Sequence, residues 1–150
     1  MNDFDFLVGT WNVANRRLKE CLTACTEWDE FPGVSTSKSI FGGGNMDEID
    51  FPTRGFSGLT LRLYDSGREE WSLYWSSSRS AVIDPPVVGH FDGGEGVFYA
   101  DDTYRGVPIR VRYIWSGITP TSARWEQAFS TDGGKYWETN WIMEMTRAEA

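Results

Sequence analysis

Histidine is nearly absent from this sequence, because His90 is the only one among 150 residues. A single histidine excludes zinc sites built from several histidines. It also leaves little room for a Ser-His-Asp hydrolase, since residues 55–58 (Gly-Phe-Ser-Gly) fall one residue short of the Gly-x-Ser-x-Gly turn. His90 alternates with Val87, Gly89 and Phe91 along the chain, so we expect its side chain on the opposite, solvent-facing side of a strand.

Positive charge and long apolar runs are also scarce. The 14 Lys and Arg residues are outnumbered by 22 Asp and Glu residues, which gives a formal net charge of -8. This balance disfavours nucleic acid and anionic membrane surfaces as partners, because both attract basic patches. No apolar run approaches the ~20 residues that span a membrane, and the N-terminus lacks a basic segment followed by an apolar run. We therefore expect a cytoplasmic protein.

Cysteine is limited to Cys21 and Cys25. If both lay on one strand they would be about 13 Å apart along it, which is too far for a disulfide. In a reducing compartment this spacing predicts two free thiols.

Aromatic residues and turn formers dominate what is present. The chain has 8 Trp, 9 Phe and 6 Tyr, and 40% of its residues are hydrophobic, which is enough for one domain over residues 1–150. Glycine, proline and aspartate separate short alternating runs. Helical spacing is limited to Phe4, Leu7 and Val8, which predicts a short N-terminal turn closing one end of the sheet.

The alternating runs predict a series of short strands joined by tight turns. They fall at residues 9–18, 22–31, 35–41, 46–51, 56–64, 70–77, 87–92, 96–104, 107–116, 122–130 and 137–146. Sequential hairpins of this kind are typical of an all-β, antiparallel, up-and-down β-barrel.

Five stretches carry a resemblance to known barrels. Gly9-Thr10-Trp11 is similar to the Gly-x-Trp opening of the lipocalin and calycin barrels. Residues 84–89 (DPPVVG), 124–130 (RWEQAFS), 132–134 (DGG) and 137–141 (WETNW) resemble a family of uncharacterised bacterial proteins with a calycin-like barrel. The resemblance covers nearly the whole chain and implies a calycin/lipocalin-like fold. It leaves function open, because that family has no established activity.

Nitrobindin-like barrels also resemble this architecture, and they hold haem iron through a histidine near the C-terminus. Residues 137–145 contain no histidine here. Met143 and Met145 could ligate iron, but methionines on an apolar face usually fill a core. The paired acids Asp47-Glu48 and Asp101-Asp102 point to opposite faces of a strand, so we place them at solvated edges. We therefore expect no haem, no other cofactor and no metal site.

Two faces alternate along the later strands, and burial of the apolar one is favoured by ~1.5–3 kcal/mol for each large side chain. The face expected to point inward carries Leu59, Leu61, Leu63, Trp71, Leu73, Trp75, Val111, Tyr113, Trp115, Trp125, Gln127, Phe129, Trp141, Met143 and Met145. The face expected to point outward carries Thr60, Arg62, Tyr64, Ser72, Tyr74, Ser76, Arg110, Arg112, Ile114, Arg124, Glu126, Ala128, Glu138, Asn140, Ile142 and Glu144. An unpaired buried arginine is costly, which is the reason for placing the arginines outside.

A barrel of about eight or more strands is wide enough to hold a small ligand. The leading hypothesis is therefore a barrel that binds a small, largely apolar or aromatic molecule. Its expected walls are Trp75, Tyr113, Trp115, Trp125, Gln127, Trp141 and Met143. The buried amide of Gln127 needs a partner, which could be Tyr113, water or the ligand.

Two alternatives remain open at this point. If the faces were inverted, Arg110, Arg112, Glu126 and Asn140 would converge inside and could serve a barrel enzyme, an isomerase or a hydrolase. In the other alternative the interior is simply packed and the domain is structural or self-associating, which is compatible with a homodimer.

Closure of the barrel requires the first and last strands to pair, because an open edge would invite association. Antiparallel pairing places Trp11 beside residues 145–147. In lipocalin-like barrels an arginine near the end of the last strand packs over the Gly-x-Trp indole, and Arg147 matches that position. We expect a cation–π contact worth ~0.5–2 kcal/mol between Arg147 and Trp11.

Overall fold

The computed structural model describes residues 1–148 and consists almost entirely of β-strands. Its first element is a 3-10 turn, Asp5–Leu7. The strands are β1 (Gly9–Leu18), β2 (Trp28–Ile40), β3 (Gly44–Phe51), β4 (Phe56–Asp65), β5 (Glu70–Ser77), β6 (Val87–Asp92), β7 (Glu95–Tyr104), β8 (Val107–Ser116), β9 (Ser122–Ser130) and β10 (Glu138–Arg147).

Each strand pairs antiparallel with its neighbours in sequence, and β1 also pairs with β10. The sheet is therefore a closed barrel in up-and-down order, which confirms the fold class predicted from the sequence. The predicted N-terminal turn is confirmed as well. Phe4 and Leu7 are each 1% exposed, and the Phe4 ring meets the edges of Trp71 and Trp115 at centroid distances of 4.8 and 6.2 Å. This turn closes one end of the barrel.

The predicted closure between Trp11 and Arg147 is confirmed. The two residues are register partners across β1 and β10, and the guanidinium carbon lies 4.3 Å from the Trp11 ring centroid. Arg147 also donates hydrogen bonds to the carbonyls of Phe6 and Val8, each at 2.7 Å. One side chain thus ties the last strand to the N-terminal turn.

The strand prediction was wrong in the second and third segments. Residues 22–31 and 35–41 were read as two strands, whereas β2 runs without a break from Trp28 to Ile40. Pro32 lies within this strand, and β3 pairs with β2 only from Val34 onward, so the ladder to β3 loses no hydrogen bond at the proline. The barrel consequently has ten strands, where eleven were predicted.

Residues 19–27 form a loop in which Leu22 and Ala24 adopt positive φ angles of 62° and 56°. Cys21 and Cys25 therefore lie on this loop and not on a strand. Both are free cysteines in the structure. The spacing argument used for them does not apply, because a loop does not fix their separation.

The face assignment holds for β5, β8 and β9 and for most of β10, where the large aromatic residues point inward. It is wrong for β4. Leu59 is 37% exposed, whereas Arg62 is 4% exposed and faces the interior. A register shift in the pairing of β10 with β9 between Thr139 and Trp141 also leaves Asn140 1% exposed, although it was placed outside. In both cases a polar side chain is buried because it finds polar partners inside. His90 is exposed, as predicted.

Candidate ligand-binding cavity

The two ends of the barrel differ. The 3-10 turn occupies the end at which β1 begins. Because the strands alternate in direction, the opposite end is formed by the end of β1, the β7–β8 turn and the loops at residues 19–27, 52–55, 78–86 and 131–137. Space inside the barrel is reached from this second end, which we call the mouth.

A cavity of about 280 Å³ lies inside the barrel. All seven side chains expected to form a ligand-binding wall line it: Trp75, Tyr113, Trp115, Trp125, Gln127, Trp141 and Met143. Other strands add small or polar side chains, namely Ser35, Asp47, Thr60, Arg62, Ala100 and Asp102. The wall therefore combines a large aromatic surface with several polar side chains.

Trp141 is the centre of the aromatic wall. Its ring contacts those of Trp125 and Trp75 nearly at right angles, with centroids 5.7 and 6.2 Å apart. Its Nε1 donates a 3.0 Å hydrogen bond to Oδ1 of Asn15. A ring fixed by both packing and a buried hydrogen bond offers a rigid surface to a ligand.

The position of Trp75 depends on a glycine. A Cβ added at Gly58 would lie 2.0 Å from Cη2 of Trp75, so the indole crosses the neighbouring strand where no side chain stands. Any other residue at position 58 would force the ring to move. Gly58 therefore shapes the cavity without contributing a side chain to it.

Several buried polar atoms near the wall have no hydrogen-bond partner within residues 1–148. Gln127 donates a 2.8 Å hydrogen bond to Oδ1 of Asn140, and not to Tyr113. The amide nitrogens of Asn15 and Asn140 remain without a hydrogen bond. Burial, with a smaller contribution from the nearby Asp84 carboxylate, raises the pKa of the Tyr113 hydroxyl, which therefore stays protonated. Of these groups, the Tyr113 hydroxyl lines the cavity and can donate a hydrogen bond to a guest, whereas Asn15 and Asn140 do not line it.

A buried ion pair stands opposite the aromatic wall, and sequence reasoning missed it. Arg62 Nη1 lies 2.6 Å from a carboxylate oxygen of Asp47 and donates a 2.7 Å hydrogen bond to Oδ1 of Asn45. Ser37 donates to the same Asn45 oxygen at 3.0 Å. Asp47 was expected at a solvated edge, but it is only 7% exposed. Its alternation with Ile49 and Phe51, both on the apolar face, was the signal that could have placed it inside.

The alternative catalytic set does not come together. Arg110 pairs with Asp101 at 3.0 Å on the outer surface, Arg112 lies over the Trp137 ring, and Glu126 accepts a hydrogen bond from Arg124 at 3.1 Å. Asn140 alone lies inside. The inverted faces on which the enzyme alternative depended are therefore not found in the strands that carry these residues.

A wider vestibule of about 580 Å³ opens above the cavity at the mouth. Arg17, Tyr104, Gln127 and Phe129 line both spaces, so the two are continuous. Burial raises the pKa of the Cys21 thiol, which lines the vestibule and is therefore neutral.

The charge of the vestibule differs from that of the whole protein. Its cationic residues are Arg17, Lys19, Arg54 and Arg105, and its only carboxylate among the residues described is that of Asp29. A locally basic opening therefore stands on a chain with a net charge of -8.

The cavity wall has the fewest strand-to-strand register pairs between β5 and β6. These strands share three register pairs, from Trp71↔Gly89 to Leu73↔Val87, and the loop at residues 78–86 covers the rest through one bridge between Ser76 and Ile83. Asp84 of this loop lines the cavity. Burial is the main cause that raises the pKa of its carboxyl group, and the nearby Asp102 carboxylate raises it further. The wall here is a loop with few backbone hydrogen bonds.

Comparison with known proteins yields a fold and no family. No family model matches the sequence, and no curated protein matches it. Among solved structures, the S-type phycobiliprotein lyase CPES from Guillardia theta matches with a TM-score of 0.63 and 12% sequence identity, over 98% of this chain and 91% of that chain. At this identity the likeness shows a shared barrel fold alone. The resemblance to uncharacterised bacterial barrel proteins stays a prediction.

No helix among the described residues is long and apolar enough to cross a membrane. In the same part of the chain, no group of three or more His, Cys, Asp or Glu side chains is arranged to hold a metal ion.

Proposed function

We propose that the barrel binds a small, largely apolar or aromatic molecule in its interior. The observation that carries this proposal is the cavity of about 280 Å³ lined by Trp75, Trp125 and Trp141. Domain interiors normally pack to a density that leaves few voids larger than a water molecule. An unfilled aromatic space of this size supports a binding function over a purely structural one.

The volume indicates the size of the guest. An apolar cavity of ~150 Å³ is known to accept benzene, and the present cavity is nearly twice as large. A molecule of about two fused rings therefore fits. The Tyr113 hydroxyl, which lines the cavity, suits a guest that carries a hydrogen-bond acceptor, because an unpaired buried donor costs ~1–3 kcal/mol.

The proposal also concerns the cofactor and the cellular compartment. We propose that the guest is not haem, since the single histidine is exposed on the outer surface and Met143 is packed within the core cluster. The structural neighbour is by name a phycobiliprotein lyase, which supports a functional interior in this fold and leaves the guest of this chain unassigned. We propose the cytoplasm as its compartment.

Tryptophan fluorescence titration with a panel of one- and two-ring aromatic molecules tests the proposal. Binding should change the emission, because four tryptophans line the cavity. The variant Ala100→Phe adds a ring at a cavity-lining position and should weaken binding. Ala14→Phe makes the same change at an exposed position on the outside of β1 and should leave binding unchanged.

Melting temperatures of both variants establish that each is folded. The proposal fails if no member of the panel binds the native protein at millimolar concentration. It also fails if a folded Ala100→Phe variant binds as tightly as the native protein.

A further inference from the structure

Arg17 is a cation at the mouth that forms no ion pair within residues 1–148. It follows Trp11, Val13 and Asn15 at alternate residues of β1, and unlike those buried side chains it is exposed. It lines both the cavity and the vestibule. No hydrogen bond or ion pair with another residue in 1–148 engages its guanidinium group, which therefore has five N–H donors available.

The position of this guanidinium group is fixed by the aromatic wall. Arg17 and Trp141 are register partners across β1 and β10, and the guanidinium carbon lies 4.2 Å from the indole centroid. Trp141 is held in turn by its hydrogen bond to Asn15. Stacking uses the face of the guanidinium plane and leaves its edges, which carry the donors, directed away from the ring.

Two of the neighbouring cations, Arg54 and Lys19, are already paired with carboxylates. Asp29 accepts hydrogen bonds from Arg54, one of them at 2.9 Å. Lys19 pairs at 3.6 Å with Glu27, a residue that does not line the vestibule. Arg105 lies over Tyr104 and adds a second cation to the same opening. The vestibule therefore presents positive charge that the residues around it do not neutralise.

The charge of the arginine inside the cavity is already compensated. Arg62 pairs through Nη1 with Asp47 and Asn45, and although its Nε has no hydrogen-bond partner within residues 1–148, a second anion there would lie close to the Asp47 carboxylate. Arg17 is open to the vestibule, yet burial by the surrounding protein lowers the pKa of its guanidinium group. A cation that has lost part of its hydration gains from an anion placed beside it.

We propose that the guest of the barrel is a carboxylic acid, with its apolar or aromatic body in the cavity and its carboxylate bound by Arg17 at the mouth. This inference rests on the proposed function and adds the chemical class of the ligand. A guanidinium group matches the two oxygens of a carboxylate with two parallel hydrogen bonds. The joint position of Arg17 on the cavity and the vestibule places that contact within reach of a two-ring guest.

Isothermal titration calorimetry with two size-matched probes tests the inference. Naphthoic acid and naphthalenemethanol have the same ring system, and only the first is an anion at neutral pH. The native protein should bind the acid about 10- to 100-fold more tightly, which is the range expected for hydrogen bonds to a charged group. The preference should decrease as salt is raised, because the mouth is open to solvent.

Neighbouring arginines of β1 supply the matched control. Arg17→Gln should bind both probes with similar affinity, and Arg17→Lys should keep part of the preference because it keeps the charge. Arg16→Gln should retain the full preference. Arg16 also lies over a tryptophan, Trp28, but it points outward and pairs with Glu30 at 3.4 Å.

Each outcome separates the two proposals. Equal affinity of the native protein for acid and alcohol overturns the carboxylate assignment and leaves the binding function standing. A preference for the acid that survives in folded Arg17→Gln also overturns the assignment to Arg17. Failure of both probes to bind removes the inference together with the function on which it rests. If Arg17→Gln does not fold, the comparison of the two probes and its salt dependence in the native protein still decide the assignment.

Discussion

Replacing Arg62 by methionine is expected to destabilise the protein strongly, because it leaves a carboxylate uncompensated in the interior. Arg62 and Asp47 have side-chain exposures of 4% and 9% and are 2.6 Å apart. Removal of one member of a buried pair typically costs ~3–5 kcal/mol. For a chain of this length, each kcal/mol lowers the melting temperature by roughly 2–4 °C. The expected decrease is therefore on the order of 6–20 °C.

The double variant distinguishes the ion pair from simple loss of packing. Arg62→Met and Asp47→Asn together remove both charges, so the interior no longer contains an unmatched one. We expect the double variant to be more stable than the sum of the single effects predicts, with a coupling free energy within the ~0.5–3 kcal/mol seen for contacting residues. Urea denaturation of the native protein and the three variants gives all four free energies.

A control and a refuting result complete this test. Arg110→Met removes a partner of Asp101 on the outer surface, and an exposed pair of this kind should contribute at most ~1 kcal/mol. The reasoning would be refuted if Arg62→Met cost no more than Arg110→Met. Additivity of the two interior substitutions would likewise show that the buried groups do not interact in solution.

Three further substitutions are predicted to affect stability or cavity shape. Arg147→Met removes three backbone contacts and a cation–π contact, so it should lower the melting temperature more than Arg147→Lys does; equal effects would contradict this. Gly58→Val should displace Trp75, and a changed near-ultraviolet circular dichroism spectrum together with weaker ligand binding would report it. Gln127→Leu deprives Asn140 of its donor and should cost ~1–3 kcal/mol in denaturant unfolding, whereas a neutral result would mean that water replaces the amide.

The sequence carried enough information for the barrel and its closure. Period-2 alternation and glycine-rich turns are local signals, and they predicted the strand order and the inward position of Trp125 and Trp141. Antiparallel geometry placed Trp11 beside residues 145–147 once closure was assumed, and the resemblance to lipocalin-like barrels singled out Arg147. The strand order and the inward positions depend on backbone periodicity, which one sequence shows directly.

The polar interior could not be predicted in the same way. Leu59, Leu61 and Leu63 indicate burial of one face of β4, and burial of Arg62 is acceptable only because Asp47 lies on the adjacent strand. That partnership is set by register between strands, which the pattern of a single strand does not encode. The inward turn of Asn140 depends on a bulge, and a bulge shifts the alternation without a distinct residue signature.

The short pairing between β5 and β6, which we call the seam, affects how fast a ligand enters and leaves more than how tightly it binds. Three register pairs hold this seam, from Trp71↔Gly89 to Leu73↔Val87, whereas β4 and β5 share eight from Gly58↔Ser77 to Asp65↔Glu70. The region with the fewest backbone hydrogen bonds opens at the lowest free-energy cost. Such an opening exposes the side of the cavity beside Trp75 and leaves the pairing of β9 with β10, which carry Trp125 and Trp141, intact. Changes at loop positions that do not line the cavity, such as the exposed Val82, would therefore alter association and dissociation rates together and leave the equilibrium constant nearly unchanged, so this barrel has a kinetic control that is independent of its affinity.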